Sequence, residues 1–473
     1  MRKLLTISIV MLAVCTAAMA QTPEELIAIR DGFAQALDTH NLDALESSFT
    51  DDGIFDFVVF PVPIETKENI RAFFADQFAG APDWHTTEGG VFATDEFVVV
   101  DHSAVGTNTG ASSTGPPTGK DWVFAHLDIY EFEGDKIKKL TSYGDYAITL
   151  VQLGLAPAPE MPELVPSSTL ADPVPTGLSP LEANAEAVRS WNNHDLSARM
   201  YRTDATIFMG PLGATLDRNA VTALNEMYFN GFSQAMLKPV RTIDLGDGWI
   251  VFEHVAFGIH DGPFMGVPAS GYPVEVRSVW LTHYDSDGLI TQQSVHYDNL
   301  TVMTQMTQAP EYLPDGTWVV TAPTPFGDIT FLHTVSSQGK MGGPFAGSMI
   351  QVNKNPTFFG MFPEADSASN WLTKTMWTGR NRVESMMLMY GTKIAEGPLF
   401  ETVYIIISRS MWTLTGPNTN EGTAMVSVYL ADQDADGDGF PDPGEEPMDC
   451  LPFTFSSRRL NMMPPCVPPP VAE

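Results

Sequence analysis

"TSYGDYAITLVQL" (Thr141–Leu153) and "SVHYDNLTVMTQM" (Ser294–Met306) carry tyrosine, aspartate and glutamine in one rhythm. Asp145 stands seven residues before Gln152, Asp298 stands seven before Gln305, and the two aspartates are 298 − 145 = 153 positions apart. Working outward, the likeness continues. Each stretch follows a long alternating run, "DWVFAHLDIYEFEGDKIKKL" or "VEVRSVWLTHYDSDGLITQQ", in which Ile137 and Ile290 are again 290 − 137 = 153 apart. Further upstream, Phe55 and Phe208 differ by 153, and His40 and His194, each near the end of an amphipathic run, by 154. Matched features at a nearly constant offset indicate duplication, and a period this long means whole domains rather than a solenoid.

Two Pro-rich stretches punctuate the chain. Residues 155–177 cannot build a helix or ladder and read as a semi-rigid linker, and residues 308–315 mark a second boundary. The expected organisation is therefore a segment 1–20, modules at 21–154 and 178–307, and a β-rich region at 316–473. At 473 residues, two to four domains are expected. In each module, helical patterns followed by long strands with tight turns at "EGDK" and "DSDG" predict an α+β fold with an antiparallel sheet packed on helices. After residue 316, short β-rich runs separated by Gly, Pro and Asn predict an all-β barrel or sandwich. The methionines of this last region either line a cavity or fill gaps in a core.

"GTNTG…GPPTGK…IYEFEGDKIKKLTSYGDYAITLVQLG" resembles the SnoaL-like polyketide cyclases of the nuclear-transport-factor-2-like superfamily, and "GVPASGYPVEVRSVWLTHYDSDGLITQQSVHYDNL" resembles them more closely. The resemblance implies two cone-shaped domains, each a curved antiparallel sheet wrapped round helices to leave a pocket for a small hydrophobic ligand. It also implies acid/base chemistry of isomerase, cyclase or hydrolase type at Asp145 and Asp298, since a carboxylate in an apolar pocket becomes a competent base. The competing reading is that both aspartates cap the final helix. By the same resemblance His260 keeps an imidazole where Asn108 has none, and His296 stands near Asp298 where the first module has Tyr143. His126 and Asp128 share one face of an aromatic strand and either line the pocket or face solvent. Neither module carries a metal-ligand pattern, a dinucleotide fingerprint or a phosphate loop, so both read as cofactor-independent. Relatives that dimerise through the sheet suggest that the two modules pair within one chain. The alternative to an enzyme is a non-catalytic extracellular ligand-binding or adhesion protein.

"MRKLLTISIVMLAVCTAAMA" has the basic start, apolar middle and small-residue end of a secretory signal, with Cys15 in a loose lipoprotein-like context. The expected location is periplasmic or extracellular, without membrane insertion. Net charge is −33, and −33 − 2 = −35 once Arg2 and Lys3 leave, which argues against nucleic acid as a partner. Cys450 and Cys466 then form a lone pair expected to be a disulfide. "DADGDGFPDPGE" places Asp434, Asp436, Asp438, the Phe440 carbonyl, Asp442 and Glu445 at the positions of a calcium loop spanning 434–445. Two prolines make it more like the stand-alone loops of thrombospondin type 3 repeats than an EF-hand.

Overall fold

The structure is a computed structural model that describes residues 21–113, 115–158, 161–323, 328–336, 345–351, 365, 367–369, 371–394 and 400–460. The segment 1–20 read as a signal, with Cys15, and Cys466 with its expected disulfide lie outside the described residues. The chain divides into two compact units, Met1–Ala156 and Pro157–Glu473.

The first unit begins with α1 (Pro23–Asp38) and α2 (Leu42–Ser47), then β1 (Phe49–Phe57), β2 (Ile64–Glu65) and α3 (Lys67–Gly80). It ends with β3 (His85–Ala93), β4 (Phe97–Thr107), β5 (Asp121–Glu133), β6 (Lys136–Gly144) and α4 (Tyr146–Leu153). Thr22 starts α1 with a reciprocal capping pair to Glu25, and Pro23 costs nothing in the first turn, where its missing N–H has no partner to lose. The sheet order is β2-β1-β6-β5-β4-β3, antiparallel throughout except for the parallel β1–β6 pair. Phe33 of α1 and Ile70, Phe74 and Phe78 of α3 pack on Phe49, Phe55, Val100 and Tyr130 of that sheet. Mixed helix and sheet is thus the observed class of this part.

The second unit opens with residues of the Pro-rich segment, which carry no helix or strand among those described. They do not hang free. The Ser167 N–H and hydroxyl bond Glu226, Val174 N–H donates to the Arg199 carbonyl, and Leu164 and Leu170 lie on the next core. There follow α5 (Pro180–Asn192), β7 (Tyr201–Met209), β8 (Ala214–Asp217) and α6 (Arg218–Gly231). Next come β9 (Met236–Gly246), β10 (Trp249–Ile259), β11 (Pro273–Tyr284), β12 (Ile290–Tyr297) and α7 (Asn299–Thr307). The sheet order is β8-β7-β12-β11-β10-β9, the same pattern as in the first unit, with β7–β12 the parallel pair. Even strained positions recur. His40 and His194 both take left-handed φ, 53° and 56°, which costs a non-glycine residue. Each is held by its ring: Nε2 bonds the Trp84 or Ala235 carbonyl at 2.8 or 2.9 Å, and the imidazole stacks on Phe78 or Phe229.

The β-rich region forms a closed barrel, so the barrel-or-sandwich alternative resolves to the barrel. Its strands are β13 (Gly316–Ala322), β14 (Ile329–Ser336), β15 (Phe345–Gln351), β16 (Ser367–Ala368) and β17 (Trp371–Gly379), then β18 (Arg382–Ile394), β19 (Phe400–Gly416), β20 (Thr419–Leu430) and β21 (Asp449–Arg459). Apart from the short β16, paired on β18, eight strands run β13-β14-β15-β17-β18-β19-β20-β21 and close through β21–β13, every neighbour antiparallel. Closure removes the sheet edges. Arg380, before β18, donates to the carbonyls of Pro273, Gln305, Gln308 and Ala309 at 2.9–3.2 Å, and so serves the end of α7. Glu275 accepts from Arg380 N–H at 2.9 Å and from the Arg382 guanidinium at 3.0 Å, while Phe257 and Ile259 share a core with Trp318 and Trp377. Among the described residues, no helix is long and apolar enough to cross a membrane.

Candidate functional site

The repeated aspartates start helices. The Asp145 carboxylate accepts from Ala147 N–H at 3.0 Å at the head of α4, and Asp298 accepts from Thr301 N–H at 2.9 Å and its hydroxyl at 2.6 Å at the head of α7. The paired glutamines finish the device. Gln152 clamps both backbone groups of Val123 at 2.6 and 3.1 Å, and Gln305 clamps those of Glu275 at 2.7 and 3.0 Å. The seven-residue spacing thus puts a cap at one end of a two-turn helix and a strand clamp at the other. Both carboxylates are buried, but neither borders the cavity of its own module. The helix-cap reading is the one the geometry supports.

His260, His296 and Tyr143 also stand away from the cavity walls among the described residues. His260 Nδ1 pairs with the Ser270 hydroxyl at 3.0 Å, and burial pushes its pKa down. Asn108, in the corresponding loop, accepts from Thr118 N–H at 2.6 Å. Each residue pins the Gly-rich loop that follows it. His296 pairs through Nε2 with the Ser294 hydroxyl at 2.7 Å.

The chemistry gathers instead on the first sheet. A cavity of about 110 Å³ lies between α1, α3 and the strands, walled by Phe55, Phe74 and Trp122 on its apolar side and by His102, His126 and Asp128 on its polar side. His102 on β4 faces His126 on β5 in register, and Asp128 is the next inward position of β5. His102 Nε2 lies 3.0 Å and His126 Nε2 3.7 Å from the same Asp128 oxygen, and the Tyr130 hydroxyl donates to it at 3.2 Å. Burial by itself would raise the Asp128 carboxyl. The charge on His126, with the hydrogen bond and charge of His102, outweighs it and holds the carboxyl down at about 2. Burial, and then the neighbouring Asp128 charge, push the Tyr130 phenol well above its ordinary value.

Partner chemistry assigns the protons. The Phe124 carbonyl, 3.0 Å from His126 Nδ1, can only accept, so that nitrogen carries hydrogen. The ionised Asp128 can likewise only accept, so His102 Nε2 carries the hydrogen of that bond and Asp128 fixes the orientation of the ring. An imidazole oriented by a buried carboxylate is the arrangement that makes histidine a general base. One ring nitrogen of each histidine and an Asp128 oxygen also lie within 4.8 Å of one another, a donor set able to hold a divalent ion, although the sequence pattern alone suggested none. His126 and Asp128 were candidates from their shared strand face. His102 was not, because its pairing with His126 crosses the irregular loop 108–120, and no local signal sets that register.

The second sheet carries different residues at the same places. His254 faces Ser278, and Phe252 faces Trp280, where the first sheet has His102 facing His126 and Val100 facing Asp128. The second cavity, about 100 Å³, is walled by His254, Ser278, Trp280 and Gln293 together with the hydrogen-bonded hydroxyls of Tyr228 and Tyr297. No carboxylate borders it among the described residues. Burial drives the His254 pKa down to about 3, so this imidazole stays neutral.

In the C-terminal loop, carboxylate oxygens of Asp434, Asp436 and Asp442 come within 4.8 Å of one another. Asp434 accepts from Gly439 N–H at 2.9 Å and Asp438 from Phe440 N–H at 2.8 Å, while Glu445 is engaged by Gln433 at 2.9 Å. A buried Asp434 oxygen has no hydrogen-bond partner among the described residues, which suits a cation. Cys450 is exposed.

Residues 30–140 match the family described as SnoaL-like domain. No curated protein matches the chain significantly. Among solved structures, it is similar to a candidate SnoaL-like polyketide cyclase from Jannaschia sp. CCS1, at 16% identity over 28% of this chain and 95% of that one, TM-score 0.27. A protein with a ketosteroid isomerase-like fold from Catenulispora acidiphila matches at 21% identity over 29% and 96%, TM-score 0.25. An LEH-like epoxide hydrolase of M. tuberculosis matches at 14% identity over 28% and 92%, TM-score 0.24. The chain carries a SnoaL-like domain within its first unit, at residues 30–140.

Proposed function

We propose that the first module is an acid/base enzyme acting on a small hydrophobic carbonyl compound, with His102 as the proton acceptor. Asp128 orients that ring and His126 is the second proton carrier. One observation carries this reading: two imidazoles and an ionised carboxylate meet at the wall of an otherwise aromatic cavity. Abstraction of a proton next to a carbonyl is common to isomerase and cyclase chemistry, so exchange of that proton reports the step without knowledge of the natural substrate. Uncharged cyclic ketones incubated in D2O with the full chain should exchange their α-hydrogens, followed by proton NMR. Asp128→Asn and His102→Gln should slow exchange by about a hundredfold or more, with EDTA having no effect. No exchange above buffer across the panel, or equal rates in wild type and both variants, would sink the reading.

The same proposal makes the second module a SnoaL-like copy that binds without turning over, since Ser278 and Trp280 occupy the places of His126 and Asp128. The shared strand order and the near-constant residue offset support the duplication. Pairing of the two modules, export directed by residues 1–20 and a Cys450–Cys466 disulfide belong to this reading on sequence grounds.

Calcium at residues 434–445 completes it. The converging carboxylates repel one another without a cation, and the Tyr390 hydroxyl ties the Gly439 carbonyl to β18 at 3.1 Å, so occupancy would stiffen the barrel wall. Calorimetric titration of the full chain should give a dissociation constant of about 0.1–1 mM. The heat should vanish in Asp436→Ala with Glu445→Ala, and unchanged heat in that variant would refute the site.

A further inference from the structure

The barrel has an interior of its own. Along β17 every second side chain is buried, and the inward residues of eight such strands fill the lumen. They do not fill it completely. A cavity of about 80 Å³ remains, walled by Trp318, Phe331, Met349, Trp371, Met387 and Trp412 among others, and it shares no wall residue with the cavity of either module.

Four further wall residues bring polar atoms that find no hydrogen-bond partner among the described residues: His333 Nε2, Ser410 Oγ, Asn420 Oδ1 and Ser457 Oγ. These residues are 4%, 1%, 3% and 7% exposed, so bulk water does not serve them. Buried polar groups are nearly always paired, and leaving one unpaired is costly. Thr375 and Ser385, inward residues that do not border the cavity, are paired with each other at 2.7 Å, and Ser385 also accepts from the Trp412 indole at 3.0 Å. Thr373, also inward on β17 and away from the cavity, keeps an unpaired hydroxyl, but four unpaired atoms belong to residues of the cavity wall. Asn420 and Ser457 face each other in register across β20 and β21, and the His333 ring lies 5.9 Å from that of Trp412.

Among the described residues the wall carries no charged side chain, and burial holds His333 neutral, its pKa pulled down to about 4. A charged guest would find no counter-charge. The open surface of the cavity is almost entirely carbon, and the polar atoms of its wall residues are buried, so a guest's hydroxyl reaches them only if the side chains shift. The volume is about half the ~150 Å³ of an apolar cavity known to admit benzene. The unbranched side chains of Met349 and Met387 are the parts of the wall that yield most readily to a larger guest.

We propose that the barrel lumen binds a small uncharged molecule with an apolar body and one hydroxyl group, the class of phenol and the short alcohols. The apolar body fills the aromatic cavity, and the hydroxyl donates to Asn420 Oδ1 and accepts from Ser457. The site is independent of the acid/base reading of the first module.

The test is fluorine NMR titration of the full chain with 4-fluorophenol and fluorobenzene, which differ only in the hydroxyl. The expected result is saturable 4-fluorophenol binding, about fivefold or more tighter than fluorobenzene, with cross-relaxation to the indole of Trp412. Asn420→Leu with Ser457→Ala should bring the two probes within about twofold while the Trp412 contact stays. If that variant does not fold, Ser457→Ala alone should narrow the preference, and the wild-type contrast still decides. Equal affinity of both probes, no contact to Trp412, or a preference that survives the substitutions would overturn the proposal.

Discussion

His102, His254 and His333 are buried imidazoles with different surroundings, and the surroundings decide what each can do. His102 has a carboxylate at 3.0 Å that orients its ring. His254 and His333 have none, and burial holds them near 3 and 4. A histidine whose folded pKa is depressed contributes stability that is fully present above its unfolded value and is lost as pH falls below it, because only the unfolded chain takes up the proton. Stability of the second unit should therefore decline from about pH 6.5 downward, by roughly 1.4 kcal/mol per pH unit for each of the two histidines. Asp128, with a depressed carboxyl in the first unit, follows the same rule in a lower window and adds its loss only from about pH 4 towards pH 2. Urea unfolding at pH 7, 6 and 5 checks the first effect. His254→Gln should flatten the slope, and an unchanged slope would contradict it. Of these residues, His126 and Asp128 were legible as neighbours on one strand face. His102 was not, because a cross-strand partner depends on register.

At the scale of elements, the repeated Asp-to-Gln motif belongs to α4 and α7. A cap at the first residue and a clamp two turns later fix the helix to the strand beginning near Trp122 or Val274. Replacing Asp298 by Ala should cost about 1–2 kcal/mol, since a buried cap serves two donors of Thr301. Thermal unfolding measures this, and ketone exchange in the first module should be unaffected. A normal melting temperature would show that the cap is dispensable. The Asp-to-Gln spacing recurs in both stretches, and the resemblance attaches chemistry to it. The cap was equally available from the residues, because an aspartate just before a helical run is the ordinary start signal. The Pro-rich segment shows the converse: absence of regular structure was readable, but its bonds to Glu226, Arg199 and Asp287 were not.

For the molecule as a whole, Arg380 links the second module to the barrel. Its guanidinium is partly buried among four carbonyls, and burial draws its pKa down from the ordinary value. Removing it leaves those carbonyls unserved next to Glu275. In calorimetry, Arg380→Ala should separate module and barrel into two transitions, where the wild type unfolds the second unit in one. A single transition at the original temperature would argue that the shared core of Phe257, Ile259, Trp318 and Trp377 suffices alone.

By itself the sequence determined what is local or periodic: the recurring 153-residue offset, the helix starts, the alternation of β-rich runs after residue 316, and the acidic loop at 434–445. These need only spacing along the chain, because capping and side-chain alternation act over a few residues. Only the tertiary structure decided that the β-rich runs close into a barrel, because closure requires β13 to meet β21 across more than a hundred residues. Only it decided that His102 joins His126 and Asp128 while Asp145 and Asp298 face their helices. Strand register depends on how the Gly-rich loops turn and on which face finds the core. That choice is settled by packing summed over the whole sheet, and no single stretch of sequence contains it.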